Sequence, residues 1–561
     1  MKRTLALLIS ALTTSCAACA SAVPAGRGGM PGTSSRAGTS SSSTSPAARS
    51  EDGTAEGPSG APGQPLAWAE LDAATFARAR AEKRFVVVDG AAEWCHWCHV
   101  MEATTYHDPE VRKLLDARFV AVKVDVDSRP DFEERYSAWG WPATVLMTAD
   151  GQEIGKYRGY LAPEKFVEIL RAVVASGDAA ASAGPAQAAE ARPLGEPELA
   201  AVGAWAQKEL DGYWDPEHGS WGRQQKVPLT WDNAWAIARA RGGDATARQR
   251  VLTTLDQQRA IVDPVWGGIC QYSTDGDWQH PHFEKLMTYQ AGAIDNYAAA
   301  FALTGDPAWL RTAQLVRGFV DRFMTTPDGG FATTMDADLN AHEPGKPFVT
   351  GHAYYALGDA ERRALGLPRV DAHEYGRENG LAIAAYVTLF EASGDATALA
   401  AAERAAARVT ATHAGDGGGI THGSRGDEES GKVLYLADNA AFGFALARLY
   451  GATHEPAYLA QATRIADFLI KQLADPRGGG FFASTPDPDA VGVFAVRRKP
   501  FEDDVMAIRF LARVARLAPT DAYRDAIARA LPVVATRAAL AERGRMIGDL
   551  LLALDETRGL R

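Results

Sequence analysis

Two cysteines stand two residues apart in Trp94-Cys95-His96-Trp97-Cys98-His99. That spacing closes a small disulfide. Where the first cysteine opens a helix, the positive end of the helix dipole holds its sulfur as a reactive thiolate. His96 lies between the two; when protonated it favours the thiolate and makes the disulfide more oxidising. Two other chemistries share these residues. Cys95-x-x-Cys98-His99 has the spacing of a c-type haem attachment, and Cys95, Cys98, His99 and His107 could together take zinc or copper. Of the five cysteines, only Cys95, Cys98 and Cys270 belong to the body of the chain, which excludes a disulfide-stapled scaffold.

The elements around the pair alternate. Leu71 to Arg80 has helical periodicity, Phe85-Val86-Val87-Val88-Asp89 reads as a buried strand, and Val100 to Leu115 is helix-compatible. Phe119 to Val126 is a second β-rich run, Pro142-Ala143-Thr144-Val145-Leu146-Met147 a third, and Asp150-Gly151 a hairpin turn. This alternation implies an α/β sheet.

The order of these elements resembles thioredoxin, over residues 66–176. Asp89 lies six residues before Cys95, where thioredoxins carry a buried aspartate that handles a proton for the resolving cysteine. Lys123 matches the lysine that pairs with that aspartate, and Trp141-Pro142 matches the cis-proline loop facing the cysteines. The resemblance implies Cys95 as the attacking thiolate and Cys98 as the resolving thiol. Pro142 would shape a groove flanked by His96, Trp97 and Trp141, leaving the Trp141 backbone free to bond an extended peptide. Asp89 and Lys123 could equally be an ordinary structural ion pair.

From residue 198 to 561 the chain changes character. Ala-rich helical stretches alternate with Gly- and aromatic-rich loops at Gly219-Ser220-Trp221-Gly222, Trp266-Gly267-Gly268-Ile269, Gly329-Gly330-Phe331, Gly417-Gly418-Gly419-Ile420 and Gly478-Gly479-Gly480-Phe481. An acid or its amide stands near each following helix start: Asp232-Asn233, Asp295-Asn296, Glu378-Asn379, Asp438-Asn439 and Asp503-Asp504. Intervals of roughly 60 to 85 residues hold about two helices each. Repeated helix pairs bury their apolar faces on their neighbours, and five visible units plus a terminal pair predict six hairpins closed into an all-α (α/α)6 toroid. Acids and aromatics at the mouth would suit a sugar, with Trp266 and Tyr272 as stacking faces. The bland alternative is that the acids are caps and the Gly-aromatic pairs are turns.

Together the two halves resemble the spermatogenesis-associated protein 20-like family, a thioredoxin-like domain fused to a six-hairpin glycosidase-like barrel. Cys95 to Glu102, Tyr272-Ser273-Thr274-Asp275, Pro281-His282-Phe283-Glu284-Lys285, Asp336-Ala337-Asp338 and Asn379-Gly380-Leu381 carry the resemblance. It implies an architecture more than a reaction. The chain departs from the family in having Cys270 and Gln271 before Tyr272, and Tyr289-Gln290 in place of the acid and amide, which puts Asp295-Asn296 out of the strict register. His282 is a candidate general acid or base, or the closure of its loop. Glu284 is a candidate catalytic acid or a cap, and Lys285 a surface charge. Asp336 and Asp338 form a secondary acid pair that could bind substrate, hold a cation or cap a turn. Cys270 reads as a buried apolar residue. No cofactor is called for.

Lys2 and Arg3, an apolar run from Leu5 to Leu12 and Ala20-Ser21-Ala22 predict a signal peptide over 1–22, with Thr13-Thr14-Ser15-Cys16 as a competing lipoprotein site lipidated at Cys16. Residues 23–65 are a Ser/Gly/Pro/Ala-rich tether and 177–197 a linker. An exported protein of the bacterial periplasm or cell envelope follows. The formal charge of -12 leaves no basic surface for a nucleic acid. Three functions are consistent: a thiol–disulfide oxidoreductase module coupled to a toroid that binds a glycan or protein, a carbohydrate hydrolase or epimerase with a structural first domain, or a non-catalytic surface binding protein.

Overall fold

Asp72 accepts from the Thr75 N–H at 2.7 Å and starts the first helix, α1 (Ala73–Glu82). It feeds β1 (Phe85–Ala91), whose valine run is buried along its whole length, as a central strand covered on both faces must be. The chain then enters α2 (His96–Ala103), α3 (Pro109–Arg118), β2 (Phe119–Asp125), α4 (Pro130–Tyr136), β3 (Ala143–Met147), β4 (Glu153–Arg158) and α5 (Pro163–Ser176). The sheet order is β2-β1-β3-β4, with β1 parallel to β2 and antiparallel to β3. Gly151, with φ 72°, closes the β3–β4 hairpin. The computed structural model describes residues 66–177, 192–343, 345–425 and 432–560. The signal segment, Cys16, the 23–65 tether and most of the 177–197 stretch lie outside the described residues.

The second half contains α6 (Glu196–Gly212), α7 (Thr230–Arg241), α8 (Ala245–Gln258), α9 (Met287–Thr304), α10 (Pro307–Phe323), two short helices α11 (Gly351–Tyr355) and α12 (Asp359–Leu365), α13 (Gly376–Ser393), α14 (Ala396–Thr412), α15 (Leu436–Thr453), α16 (Pro456–Phe468), α17 (Phe501–Leu517), α18 (Asp521–Val534), α19 (Arg537–Arg543) and α20 (Gly548–Glu556). Helices α7, α9, α13, α15, α17 and α20 pack in that order around a ring, and α20 returns to α7 to close it. Outer helices α8, α10, α14, α16, α18 and α6 back them one by one. This is an (α/α)6 toroid whose sixth hairpin joins the first helix of the half to the last. Small residues let inner helices approach: a Cβ on Gly380 would stand 2.6 Å from the backbone of Ala441 and Phe442.

The thioredoxin-like domain docks on the mouth made by the inner-helix N-termini. Glu133 of α4 pairs with Arg377 at the start of α13 at 2.9 and 3.1 Å. His422 Nε2 lies 2.8 Å from the Asp127 carbonyl. Val493 and Phe494 pack into the core around Phe132 and Tyr136.

Candidate functional site

Cys95 and Cys98 form a disulfide at the N-terminus of α2. Cys95 is the N-cap, in extended conformation, and its Sγ accepts from the Cys98 N–H at 3.2 Å. The sulfur that would attack is thus the atom facing the helix dipole. Both cysteines are buried. Trp94 is anchored by Nε1 donating to Asp127 at 2.6 Å, which fixes the entry into the helix. Trp97 is 42% exposed beside them. Both thiols are joined in the disulfide, and His107 turns away from them to the Glu102 carbonyl at 2.7 Å.

Asp89 is buried, and its Oδ1 has no hydrogen-bond partner among the described residues. Burial raises its carboxyl to about 6 against the opposing charge of Lys123. The expected Asp89–Lys123 contact is corrected. The two are ladder partners on β1 and β2, but the half-buried lysine extends outward and donates to Glu102 at 2.7 Å. The Trp141-Pro142 bond is cis. Ala143, next to it, pairs with Gly90 of β1, so the proline loop sits at the same sheet end from which the cysteines emerge. Trp141 is half-buried and stacks on Phe132.

The toroid supplies the facing wall. Residues 336–342 bring Asp336, Asp338 and His342 against α2. His96 Nδ1 bonds Asp338 Oδ2 at 2.7 Å, and His99 Nδ1 lies 3.3 Å from the same oxygen. The Asp338 carboxylate also accepts from the Gly351 N–H at 2.8 Å, and Asp336 Oδ1 from the Asp338 N–H at 2.9 Å. Burial works against protonation of His96, but the hydrogen bond to Asp338 and the charges of Asp338, Glu284 and Asp336 outweigh it and raise the imidazole. Burial alone would raise the Asp338 carboxyl; its bonds to His96 and His99 instead hold it well below the ordinary range. Sequence reasoning missed His342, whose only signal is a histidine six residues after Asp336.

His282 pairs with Tyr272 across a two-stranded ribbon and stacks on its ring at 4.2 Å between centroids. Its Nδ1 lies 3.9 Å from Glu284. Glu284 is buried with Oε2 unpartnered among the described residues. Lys285 is no surface charge: it is fully buried, donates to Cys270 Sγ at 3.0 Å and faces the Tyr355 ring. Trp266 is fully buried, with Nε1 donating to Asp359 at 2.7 Å, so it belongs to the core and offers no stacking face.

The acid–amide pairs at the mouth have two structural duties. In four of the repeats the second residue braces the loop after the glycines, whereas the Asn233 amide has no partner among the described residues. Gln290, Asn379 and Asn439 each accept from the N–H and donate to the C=O of Ile269, Phe331 and Ile420, at 2.7 to 3.0 Å. Asp504 accepts from the Phe481 N–H at 2.7 Å. The first residue caps the neighbouring inner helix: Asp438 takes the Arg377 N–H and Asp232 the Gly548 N–H. Gln290, not Asn296, is in register, while Asp295 accepts from Thr388. Two cavities meet here at Thr288, Tyr289 and Arg377. One, of about 190 Å³, lies under the thioredoxin-like domain and is lined by Trp94, Trp141, Glu378 and His422. The other, of about 640 Å³, runs along the inner helices. His422 Nδ1 is 3.0 Å from Asp438.

A family model described as "Protein of unknown function, DUF255" (Thioredox_DsbH) matches residues 61–176. The human spermatogenesis-associated protein 20 is 28% identical over 316 residues, 49% of this chain and 39% of that protein. The chain spans about two fifths of the length of the curated relatives of that name that it matches. The thiol:disulfide interchange protein DsbD of Pseudomonas fluorescens is 35% identical over 78 residues, 13% of each chain. A solved structure of D-mannose isomerase superposes with a TM-score of 0.49 at 10% identity, covering 64% of this chain and 97% of that one. The chain is related to the spermatogenesis-associated protein 20 proteins over half its length, and its first domain is thioredoxin-like and DsbD-related.

Proposed function

We propose that this chain is an exported thiol–disulfide oxidoreductase whose reactive pair works against a toroid that binds a protein or glycan partner. The observation that carries the reading is Cys95 as the N-cap of α2, bonded to Cys98, at the sheet end that also bears the cis-proline loop. In the reducing direction, the Cys95 thiolate attacks a partner disulfide, forms a mixed disulfide and releases one partner thiolate. Cys98 then passes its proton to Asp89 and attacks the Cys95 sulfur. The Cys95–Cys98 bond forms, the second partner thiolate leaves, and two electrons have moved to the partner. The oxidising direction is the reverse.

Replacing Cys98 with Ala stalls the cycle at the mixed disulfide. Adducts through Cys95, trapped in cells and lost on adding reductant, are expected; a Cys95 that forms no adduct and resists alkylation after reduction would exclude the reading. Export is supported by the Lys2-Arg3 and Leu5–Leu12 pattern, and fractionation of cells tests it.

A second reading rests on the joined cavities at the toroid mouth, with buried acids, His422–Asp438 and Tyr289 around them. It makes the toroid a carbohydrate-active site. Turnover of an oligosaccharide panel by the wild type, lost in Glu378→Gln in the cavity wall, would favour it; no turnover of any member of the panel by the wild type would exclude it.

A further inference from the structure

Four electronegative atoms converge where α2 meets the toroid. His99 Nε2 and His342 Nε2 are 3.1 Å apart. Asp336 Oδ2 is 3.7 Å from the first and 3.5 Å from the second. The Glu93 carbonyl oxygen lies 2.9 and 2.8 Å from the two nitrogens. Protons alone serve this cluster poorly. With His99 Nδ1 on Asp338, its Nε2 presents a lone pair to the cluster, and Asp336 Oδ2 has no hydrogen-bond partner among the described residues although Asp336 is only 2% exposed. Leaving a carboxylate oxygen buried and unpaired is costly.

We propose that His99 Nε2, His342 Nε2 and Asp336 Oδ2 bind a divalent first-row transition cation of the zinc class. A tetrahedral zinc ion with ligands at about 2.0–2.1 Å spaces its donors by roughly 3.3–3.4 Å, and the three observed separations bracket that value. Two imidazoles and a carboxylate are the ligand set such ions take. The Glu93 carbonyl or a solvent molecule completes the shell. The surrounding shell is also built: His99 presents its other nitrogen to Asp338, the carboxylate–histidine–metal arrangement that fixes the tautomer. A cleft of about 380 Å³ lined by Cys98, His99, His342 and Glu93 gives the ion a way in. The ion would pin the reactive helix to the toroid with ligands from both halves, and it needs neither cysteine.

That independence from sulfur makes the site testable. The full chain is stripped with a chelator, kept in the disulfide form and titrated calorimetrically with Zn²⁺; Co²⁺ is added in parallel and followed by absorption. One equivalent of Zn²⁺ is expected, with a tetrahedral Co²⁺ spectrum free of thiolate charge transfer. His342→Ala and Asp336→Asn should lose the binding, and Asp338→Asn should weaken it by about tenfold or more. His342 is partly exposed, so His342→Ala should keep the wild-type circular dichroism. Absence of stoichiometric Zn²⁺ binding by the folded, oxidised wild type would overturn the proposal, as would affinity unchanged in His342→Ala.

Discussion

Asp338 Oδ2 accepts from His96 Nδ1 at 2.7 Å, so an acid of the toroid holds the residue between the two reactive cysteines. Residues 242 positions apart in sequence meet in one charge-assisted bond beside the disulfide. Such bonds contribute about 1.5–3 kcal/mol. Asp338→Ala removes this bond and the cap on α11. We expect a folded protein with a lower melting temperature, and faster reduction of the Cys95–Cys98 disulfide by dithiothreitol. Unchanged reduction kinetics would mean that the toroid does not control access to the pair.

Asp89 gives a pH signature. Its carboxyl, raised by burial to about 6, keeps a proton in the native state between about pH 4 and 6 that the unfolded chain has released. Stability contributed by this group therefore falls as pH rises through that window and is level above it. A displacement of that size corresponds to about 3 kcal/mol. Asp89→Asn should remove that part of the slope and raise stability at pH 7. It should also slow the release of mixed disulfides by Cys98. Denaturant midpoints at pH 4 and pH 7 for both proteins check the first, and stopped-flow release the second.

Gly380 is where α13 touches α15. The 2.6 Å separation between a built Cβ and the backbone of Ala441 and Phe442 leaves no side chain able to give way. Gly380→Ala is favourable for a helix in isolation, yet here it must separate two inner helices and cost about 1–3 kcal/mol or more. Urea melts of the two proteins decide it; a variant as stable as the wild type would show that the ring is looser than this contact implies.

What the sequence made visible was local. The cysteine spacing, the aspartate six residues upstream, the Trp-Pro step and the glycine–acid periodicity are each written within a few residues, and they led to the thioredoxin-like sheet and the toroid. The half-buried edge strand β4 was not legible, because its residues alternate weakly between apolar and polar. Nor was the meeting of His99 with His342, which depends on how two halves dock across more than two hundred residues. Lys123 failed as a partner for Asp89 because adjacency in a ladder does not fix where a four-carbon side chain ends. Trp266 looked like a stacking platform because a Trp-Gly-Gly turn gives no sign of which way its ring faces.

Asp504 tests the brace that the other repeats display. Gln290, Asn379 and Asn439 satisfy both the N–H and the C=O of the residue after the double glycine, whereas Asp504 at the same place bonds only the Phe481 N–H and leaves Oδ2 unpartnered among the described residues. Burial raises its carboxyl well above the ordinary range, so its native proton is lost only at higher pH and its ionisation opposes folding. Asp504→Asn supplies the amide donor found in the other three repeats and removes the ionisable group. We expect a gain of about 1–2 kcal/mol at pH 7, growing as pH rises, read as a higher urea midpoint with an unchanged m-value. A loss of stability would mean that the protonated acid already serves as the donor to its loop.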